Sequence, residues 1–272
     1  MPTAKLLLID PQNDFCDTKG AALPVTGAGA DMRRLAAFIT DAAAHLEDII
    51  VTLDSHPAVA IERTPFWQRG NGAAVAPFTM ITHAQVLAGE YLPHDSTLLP
   101  QVLAYLQALE AGGHFTLMVW PVHCVIGTWG HNIEAHVAQA IRTWEQGTHR
   151  ASRTILKGMN PLTEQYSAVR AEVPRSDDPA TQTNRVLVAA ALPASGYLLV
   201  AGEALSHCVA ATMDHLFAEM TLPQRERVVL LTDCMSPVTG FGREFLDRAR
   251  QLGARALPSY AALSLLQHTT RE

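Results

Sequence analysis

The chain has 272 residues, 48% of them hydrophobic and 17% charged, and its 20 Lys and Arg against 26 Asp and Glu give a formal net charge of −6. A size and balance of this kind suit one large domain, or one domain carrying insertions, and exclude extensive disorder. With no basic run in the chain, a nucleic-acid partner is excluded too.

Near the N-terminus only four apolar residues, Leu6 to Ile9, precede Asp10. That is too short for a signal-peptide core or a membrane span, so no membrane partner is expected. The run Lys5 to Asp10 predicts a central parallel strand with the carboxylate at its C-terminal edge, where open α/β sheets bind ligands. The stretch from Pro11 to Gly29 reads as a loop, and Gly27-Ala28-Gly29 as part of it rather than as a phosphate loop, since it does not directly follow the strand. A helix is predicted from Asp31, with Leu35, Phe38, Ile39 and Leu46 on its apolar side. The second strand, Asp48 to Asp54, also ends in Asp and runs into Ser55-His56-Pro57. In extended chain Asp54 and His56 point the same way, and a carboxylate with an imidazole at that spacing suits a divalent metal.

Residues 58–95 show no sustained periodicity and predict a long excursion over the sheet edge, a lid or a piece of pocket wall. Helical spacing returns from Leu98 to Leu109 and stops at Gly112-Gly113. Phe115 to Trp120 is the third predicted strand and delivers Pro121-Val122-His123-Cys124 to the same edge. A helix is predicted from His131 to Trp144, with His131 and Glu134 paired on its surface. Arg153 to Gly158 is the fourth strand and ends on Lys157. Pro174 to Thr183 reads as an exposed loop and Asn184 to Ala191 as a helix. The fifth strand, Tyr197 to Ala201, leads into Gly202-Glu203-Ala204-Leu205-Ser206-His207-Cys208, and a helix with Val209, Met213, Leu216 and Phe217 on one face follows. Cys208 therefore stands where a strand turns into a helix, beside unpaired backbone N–H groups and the positive end of the dipole, which favour a thiolate. His207 is adjacent to Cys208 and points elsewhere, as neighbours at a helix start do. Val228 to Asp233 is the sixth strand, Phe241 to Leu252 a helix, and Ala254 to Leu257 a last edge segment before a C-terminal helix. The four cysteines, Cys16, Cys124, Cys208 and Cys234, form no CxxC, which predicts a reduced, cytoplasmic setting.

The β-α repetition predicts an α/β protein, a three-layer α/β/α fold on a mostly parallel six-stranded sheet. The whole chain, 1–272, reads as a single domain with a long insertion around 58–113. Such a sheet carries Asp10, Asp54 with His56, His123, Lys157 and Cys208 to one edge.

Asp10-Pro11-Gln12-Asn13-Asp14-Phe15, Asp54-Ser55-His56-Pro57, Trp120-Pro121-Val122-His123-Cys124-Val125, Lys157-Gly158 with Tyr166-Ser167-Ala168, and Gly202 to Thr212 occur in this order. Together they resemble the isochorismatase-like cysteine hydrolases, and within them the nicotinamidases. The resemblance covers residues 5–212. It implies a nucleophilic Cys208, Asp10 as general base and then acid, and Lys157 holding both. It also implies an oxyanion hole from the N–H groups of Ala204 and Cys208, a cis peptide at Glu203–Ala204, and a divalent metal, zinc by its donors, on Asp54, His56 and His123. Phe15 and Trp67 are then expected to clasp a flat ring. The implied substrate is nicotinamide or a related small amide, and the implied assembly a homo-oligomer. Ser55 and Ala60 stand where nicotinamidases usually carry a tryptophan and a further histidine. These departures leave open a different small amide or carbamoyl substrate, and a non-catalytic binding protein on the same fold.

Overall fold

The run Leu6 to Ile9 is fully buried, as a strand covered on both faces requires. The computed structural model describes residues 3–113, 115–238 and 242–268. In chain order it contains β1 (Ala4–Ile9), α1 (Ala28–Ala42), β2 (Leu46–Asp54), β3 (Trp67–Arg69), β4 (Thr79–Ile81), α2 (His83–Leu87), β5 (Tyr91–Pro93) and α3 (Leu99–Gly112). Next come β6 (Leu117–Val119), α4 (Ala135–Thr148), β7 (Arg153–Lys157), α5 (Arg185–Ala191), β8 (Tyr197–Gly202) and α6 (Ala210–Glu219). The chain closes with α7 (Leu222–Arg225), β9 (Val228–Leu231), α8 (Gly242–Gln251), β10 (Arg255–Leu257) and α9 (Ser259–His268). Phe241, read as the start of a helix, lies outside the described residues.

The main sheet has six strands in the order β10-β9-β8-β1-β2-β7, every neighbouring pair parallel. Alternate residues of β1 point to opposite faces. Leu7 and Ile9 join Val200, Leu230, Leu187, Met213, Leu216 and Phe245 in one core. Leu6 and Leu8 join Met32, Leu35, Ile49, Val137, Trp144 and Leu266 in the other. The result is the expected three-layer α/β/α architecture. Strand order reverses at β1, which has β2 on one side and β8 on the other. The residues that follow these strands meet at this switch point, the usual ligand crevice of an open α/β sheet. Close approach there depends on Gly202. Its φ is +121°, and a Cβ would lie 1.9 Å from the Ile9 carbonyl oxygen.

The strand count matches the sequence reading, but its membership does not. β6, read as the third strand of the main sheet, pairs antiparallel with β4 instead. The sixth place is taken by β10, at the edge next to β9. His123 thus reaches the site from a small satellite ribbon, not from a sheet strand.

The segment read as an irregular excursion contains β3 to β5, α2 and α3 around a core of its own. Ile61, Phe66, Trp67, Val86, Val102, Tyr105 and Leu106 pack there with Leu117 and Val119. Trp67 is a correction. Its ring is fully buried in this core and its Nε1–H donates to the Ile61 carbonyl at 2.6 Å, so it is no part of the pocket wall. Helix α4 begins at Ala135, later than the pattern from His131 predicts, because the Glu134 carboxylate accepts from the His136 and Val137 N–H groups and caps it. His131 does not pair with Glu134; its Nε2 lies 2.8 Å from Ser55 Oγ. No helix among the described residues is long and apolar enough to cross a membrane.

Candidate active site

The loop after β1 acts as a bracket. Gln12 Oε1 accepts from the Asp54 N–H at 2.7 Å, and its Nε2 donates to the carbonyls of Asp54 at 2.8 Å and His131 at 2.9 Å. Asn13 donates to the Trp129 carbonyl at 2.8 Å. Asp14 accepts from the Cys124 N–H at 2.7 Å and from the Ala22 N–H at 3.0 Å. Three consecutive polar side chains, all buried, thus fix the loops that carry Asp54 and His123. Asp10 itself has φ +46° and Cys124 φ +49°, left-handed values that non-glycine residues seldom adopt and that concentrate at functional sites.

Lys157 ends β7 beside Asp54, its register partner on β2. Its Nζ lies 3.0 Å from Asp10 Oδ2 and 2.7 Å from Asp54 Oδ1, donates to the Gln165 carbonyl at 3.2 Å, and stands 3.5 Å from Cys208 Sγ. Cys208 lies in a π-helical turn, Leu205–Val209, that precedes α6. Such turns recur at functional sites. The peptide bond Glu203–Ala204 is cis, as the resemblance implies.

Burial and the Asp10 and Asp54 carboxylates push the Cys208 thiol well up, against the lowering effect of Lys157. The sequence reading favoured a resting thiolate, so this is a correction. The turn lets a helix end and a cation approach Sγ, but the surrounding desolvation wins. Burial likewise raises Asp10, with Lys157 opposing and Asp54 reinforcing the rise. Burial disfavours the Lys157 cation, yet Asp10 and Asp54 together hold its pKa well above the usual range. A neutral thiol, a carboxylate of enhanced basicity and a fixed ammonium thus share one buried site. Proton transfer from Cys208 to Asp10 is the chemistry that arrangement permits.

Asp54 Oδ2 lies 2.7 Å from His56 Nε2 and 3.4 Å from His123 Nε2. His123 Nδ1 lies 2.8 Å from the Pro121 carbonyl oxygen, and its Nε2 faces Asp54. Burial, and then the Arg63 guanidinium, hold His123 down at about 4, so its ring is neutral at neutral pH. Asp54, His123 and Cys124 bring a carboxylate oxygen, a ring nitrogen and a sulfur all within 4.8 Å of one another. A neutral imidazole with its second nitrogen tied to a carbonyl, a carboxylate and a thiol is a donor set that suits zinc. His56 is not in that compact group; it is hydrogen-bonded to Asp54, with Glu62 Oε1 3.2 Å from its Nδ1.

These residues open into a pocket lined by Cys208, Ala204, Asp54 and His123 and by Phe15, Trp120, Tyr166 and His207. Phe15 stands edge-on to His123 with ring centroids 5.4 Å apart. His207 is wedged between Trp120 and Tyr166, each 5.5 Å away, and Ser206 Oγ lies 2.9 Å from its Nδ1. It is therefore a wall of the pocket. Two further ionisable residues of the lining, Arg63 and Glu164, were missed in the sequence. Burial and the nearby Glu62 raise the Glu164 carboxyl to about 8. Both are isolated charged residues in loops, which ordinarily face water, so the sequence gives no sign of their burial.

Behind Ala204, Glu203 is fully buried and its carboxyl is raised well above the model-compound range, by burial first and then by Asp31. Its Oε2 accepts from the Ser236 N–H at 3.1 Å, while Oε1 has no donor and faces Asp31, itself an acceptor. The pair is satisfied when Glu203 keeps its proton. A carboxyl raised in the folded state contributes stability below its unfolded value and loses it as pH rises. Glu203→Gln mimics the protonated acid. It is expected to melt about 3 °C or more above the parent at pH 8. The gap should close as pH falls toward 4.5, the ordinary value for this group. An equal gap at both pH values in thermal melts would refute the assignment.

Neither a protein-family profile nor a curated protein sequence matches the chain. Solved structures do. A nicotinamidase/pyrazinamidase of Acinetobacter baumanii superposes with a TM-score of 0.64 at 19% identity, covering 96% of this chain and 99% of that one. The yeast nicotinamidase gives a TM-score of 0.61 at 20% identity, covering 94% and 99%. A pyrazinamidase of Pyrococcus horikoshii, solved in complex with zinc, gives 0.56 at 17% identity, covering 94% and 99%. At such identities the likeness speaks for architecture. The chain has the α/β/α fold shared by nicotinamidases, pyrazinamidases and isochorismatase-family proteins.

Proposed function

We propose that the protein is a cysteine-dependent amidohydrolase that cleaves nicotinamide or a related small amide to the acid and ammonia. The observation that carries this reading is the buried contact of Lys157 with Asp10, Asp54 and Cys208 at the switch point of the sheet. Asp10 takes the Cys208 proton as Sγ attacks the carboxamide carbon, and the C–S bond forms as the carbonyl π pair moves to oxygen. The N–H groups of Ala204 and Cys208 meet that oxyanion. Asp10 then returns the proton to the leaving nitrogen, the C–N bond breaks, and ammonia departs. Water, deprotonated by Asp10, cleaves the thioester and regenerates the thiol. Lys157 keeps the charge of Asp10 in place through each transfer. Phe15, Trp120 and Tyr166 give the pocket flat apolar walls that suit an aromatic ring.

Asp54 and His123, with Cys124 beside them, would hold a divalent ion, zinc by donor chemistry, and the resemblance adds His56 to the set. When bound, it supplies a fixed positive charge in the pocket. Metal analysis of the purified protein is expected to find zinc at near-equimolar content. Asp54→Asn should lower that content by about tenfold or more at limiting zinc. Unchanged zinc content in that variant would place the ion elsewhere. The activity test is ammonia release from nicotinamide; no release from any small amide at high enzyme concentration would overturn the reading.

A further inference from the structure

Arg63 is among the largest fully buried side chains of the protein, 1% exposed, and it lines the same pocket as Cys208. Its backbone is fixed on both sides. The Arg63 N–H donates to the Ala60 carbonyl at 2.8 Å, and the Trp120 N–H donates to the Glu62 carbonyl at 2.8 Å. The guanidinium reaches His123, with Nη1 2.8 Å from Nδ1 and 3.2 Å from Nε2. The remaining donors are unspent. Arg63 Nε and Nη2 are buried without a hydrogen-bond partner, although Nε forms an ion pair with Glu62 Oε1 at 3.6 Å.

A buried cation with unpaired N–H groups is costly, and a guanidinium offers them as a planar fork that matches a planar acceptor. Contacts run from Arg63 through His123, Asp54 and Lys157 to Cys208. Arg63 and Cys208 line one pocket, where a molecule reacting at Cys208 can present a second group to Arg63. We propose that Arg63 is the specificity-determining residue of this pocket, donating from Nε and Nη2 to a hydrogen-bond acceptor on the substrate remote from the scissile bond. The substrate class is a small flat amide carrying a second acceptor, either a ring nitrogen or a carboxylate. This rests on the amidase reading given above.

The test compares the parent with Arg63→Met and Arg63→Lys on benzamide, nicotinamide and 3-carbamoylbenzoate, with zinc content measured for every preparation. Arg63→Met should raise KM by about 10- to 100-fold for an acceptor-bearing amide, the range of a hydrogen bond to a charged group. It should leave benzamide within about threefold, and Arg63→Lys should recover part of the loss. The more affected of the two acceptor-bearing amides names the group that Arg63 holds. An equal change for all three amides, no change for any, or a KM rise that follows zinc loss would overturn the assignment. If the parent hydrolyses none of them, the amidase reading fails separately. Calorimetric binding of nicotinate and isophthalate against benzoate then decides on Arg63. Selective weakening of the acceptor-bearing acids in Arg63→Met upholds its role, and equal affinities for parent and variant refute it.

Discussion

Cys208→Ala is expected to lower ammonia release from a susceptible small amide by about 10⁴-fold or more, while melting within a few degrees of the parent. Removal of a nucleophile ends the covalent route, and what remains is the modest help of a preorganised pocket. The expectation singles out one thiol among four. Burial raises Cys16 to about 12, with the nearby carboxylates adding to the effect, and raises Cys234 further still. Neither has a base and an ammonium placed against it. Cys208 has both, with Lys157 Nζ at 3.5 Å from Sγ and 3.0 Å from Asp10 Oδ2. Its removal takes away a sulfur and one such contact from a site otherwise held by Gln12, Asn13 and Asp14, so the fold should tolerate it. Two measurements are needed, initial rates by coupled ammonia detection and a thermal melt. A variant that keeps its fold and more than a tenth of the parent rate would exclude Cys208 as nucleophile. A variant that has lost its fold would be replaced by Cys208→Ser, in which the poorer nucleophile should still cost several orders of magnitude.

The strand ends were legible in the sequence because each short apolar run stops on a charged or histidine-bearing loop, and a parallel sheet has no choice but to gather such ends. That logic recovered Asp10, Asp54, Lys157 and Cys208 at one edge, and the sheet pairs them as expected: Ile9 with Gly202 and Thr52, Asp54 with Lys157. It misassigned β6 because an apolar run of five or six residues reads alike in a main sheet and in a satellite ribbon. Its partner β4 lies in a stretch without periodicity. Trp67 was misplaced for a related reason. An aromatic between prolines and glycines carries no sign of which surface it covers, and here it is buried in a core with Phe66, Val102 and Leu106. Arg63 and Glu164 were invisible because an isolated charged residue in a loop ordinarily faces water. Their burial is a product of tertiary closure. The protonation of Cys208 belongs to the same class: the cation beside it can be inferred from motif order, but the depth of burial that outweighs the cation cannot.

Lys157→Met should be the most destabilising single change in the site, at about 3–5 kcal/mol, because it leaves buried carboxylates facing one another without their shared cation. Lys157, Asp10 and Asp54 are all nearly or wholly buried, and the ammonium lies within 3.0 Å of both acids. Methionine matches the length of the lysine stem, so the loss is one of charge and hydrogen bonds rather than of volume. In a chain of this size it corresponds to a fall of roughly 6–20 °C in melting temperature. The electrostatic origin can be separated from lost packing by a second change. Adding Asp10→Asn removes one of the stranded carboxylates, so the double variant should melt well above Lys157→Met even though Asp10→Asn alone is not expected to stabilise the parent. That sign reversal is the signature of a coupled ion cluster. Simple additivity would instead mean that Lys157 stabilises the site through its contacts with Gln165 and its apolar stem. Activity supplies the independent arm. Measured below the melting temperature of the single variant, it should be lost in both, because neither retains the base and the ammonium that Cys208 requires.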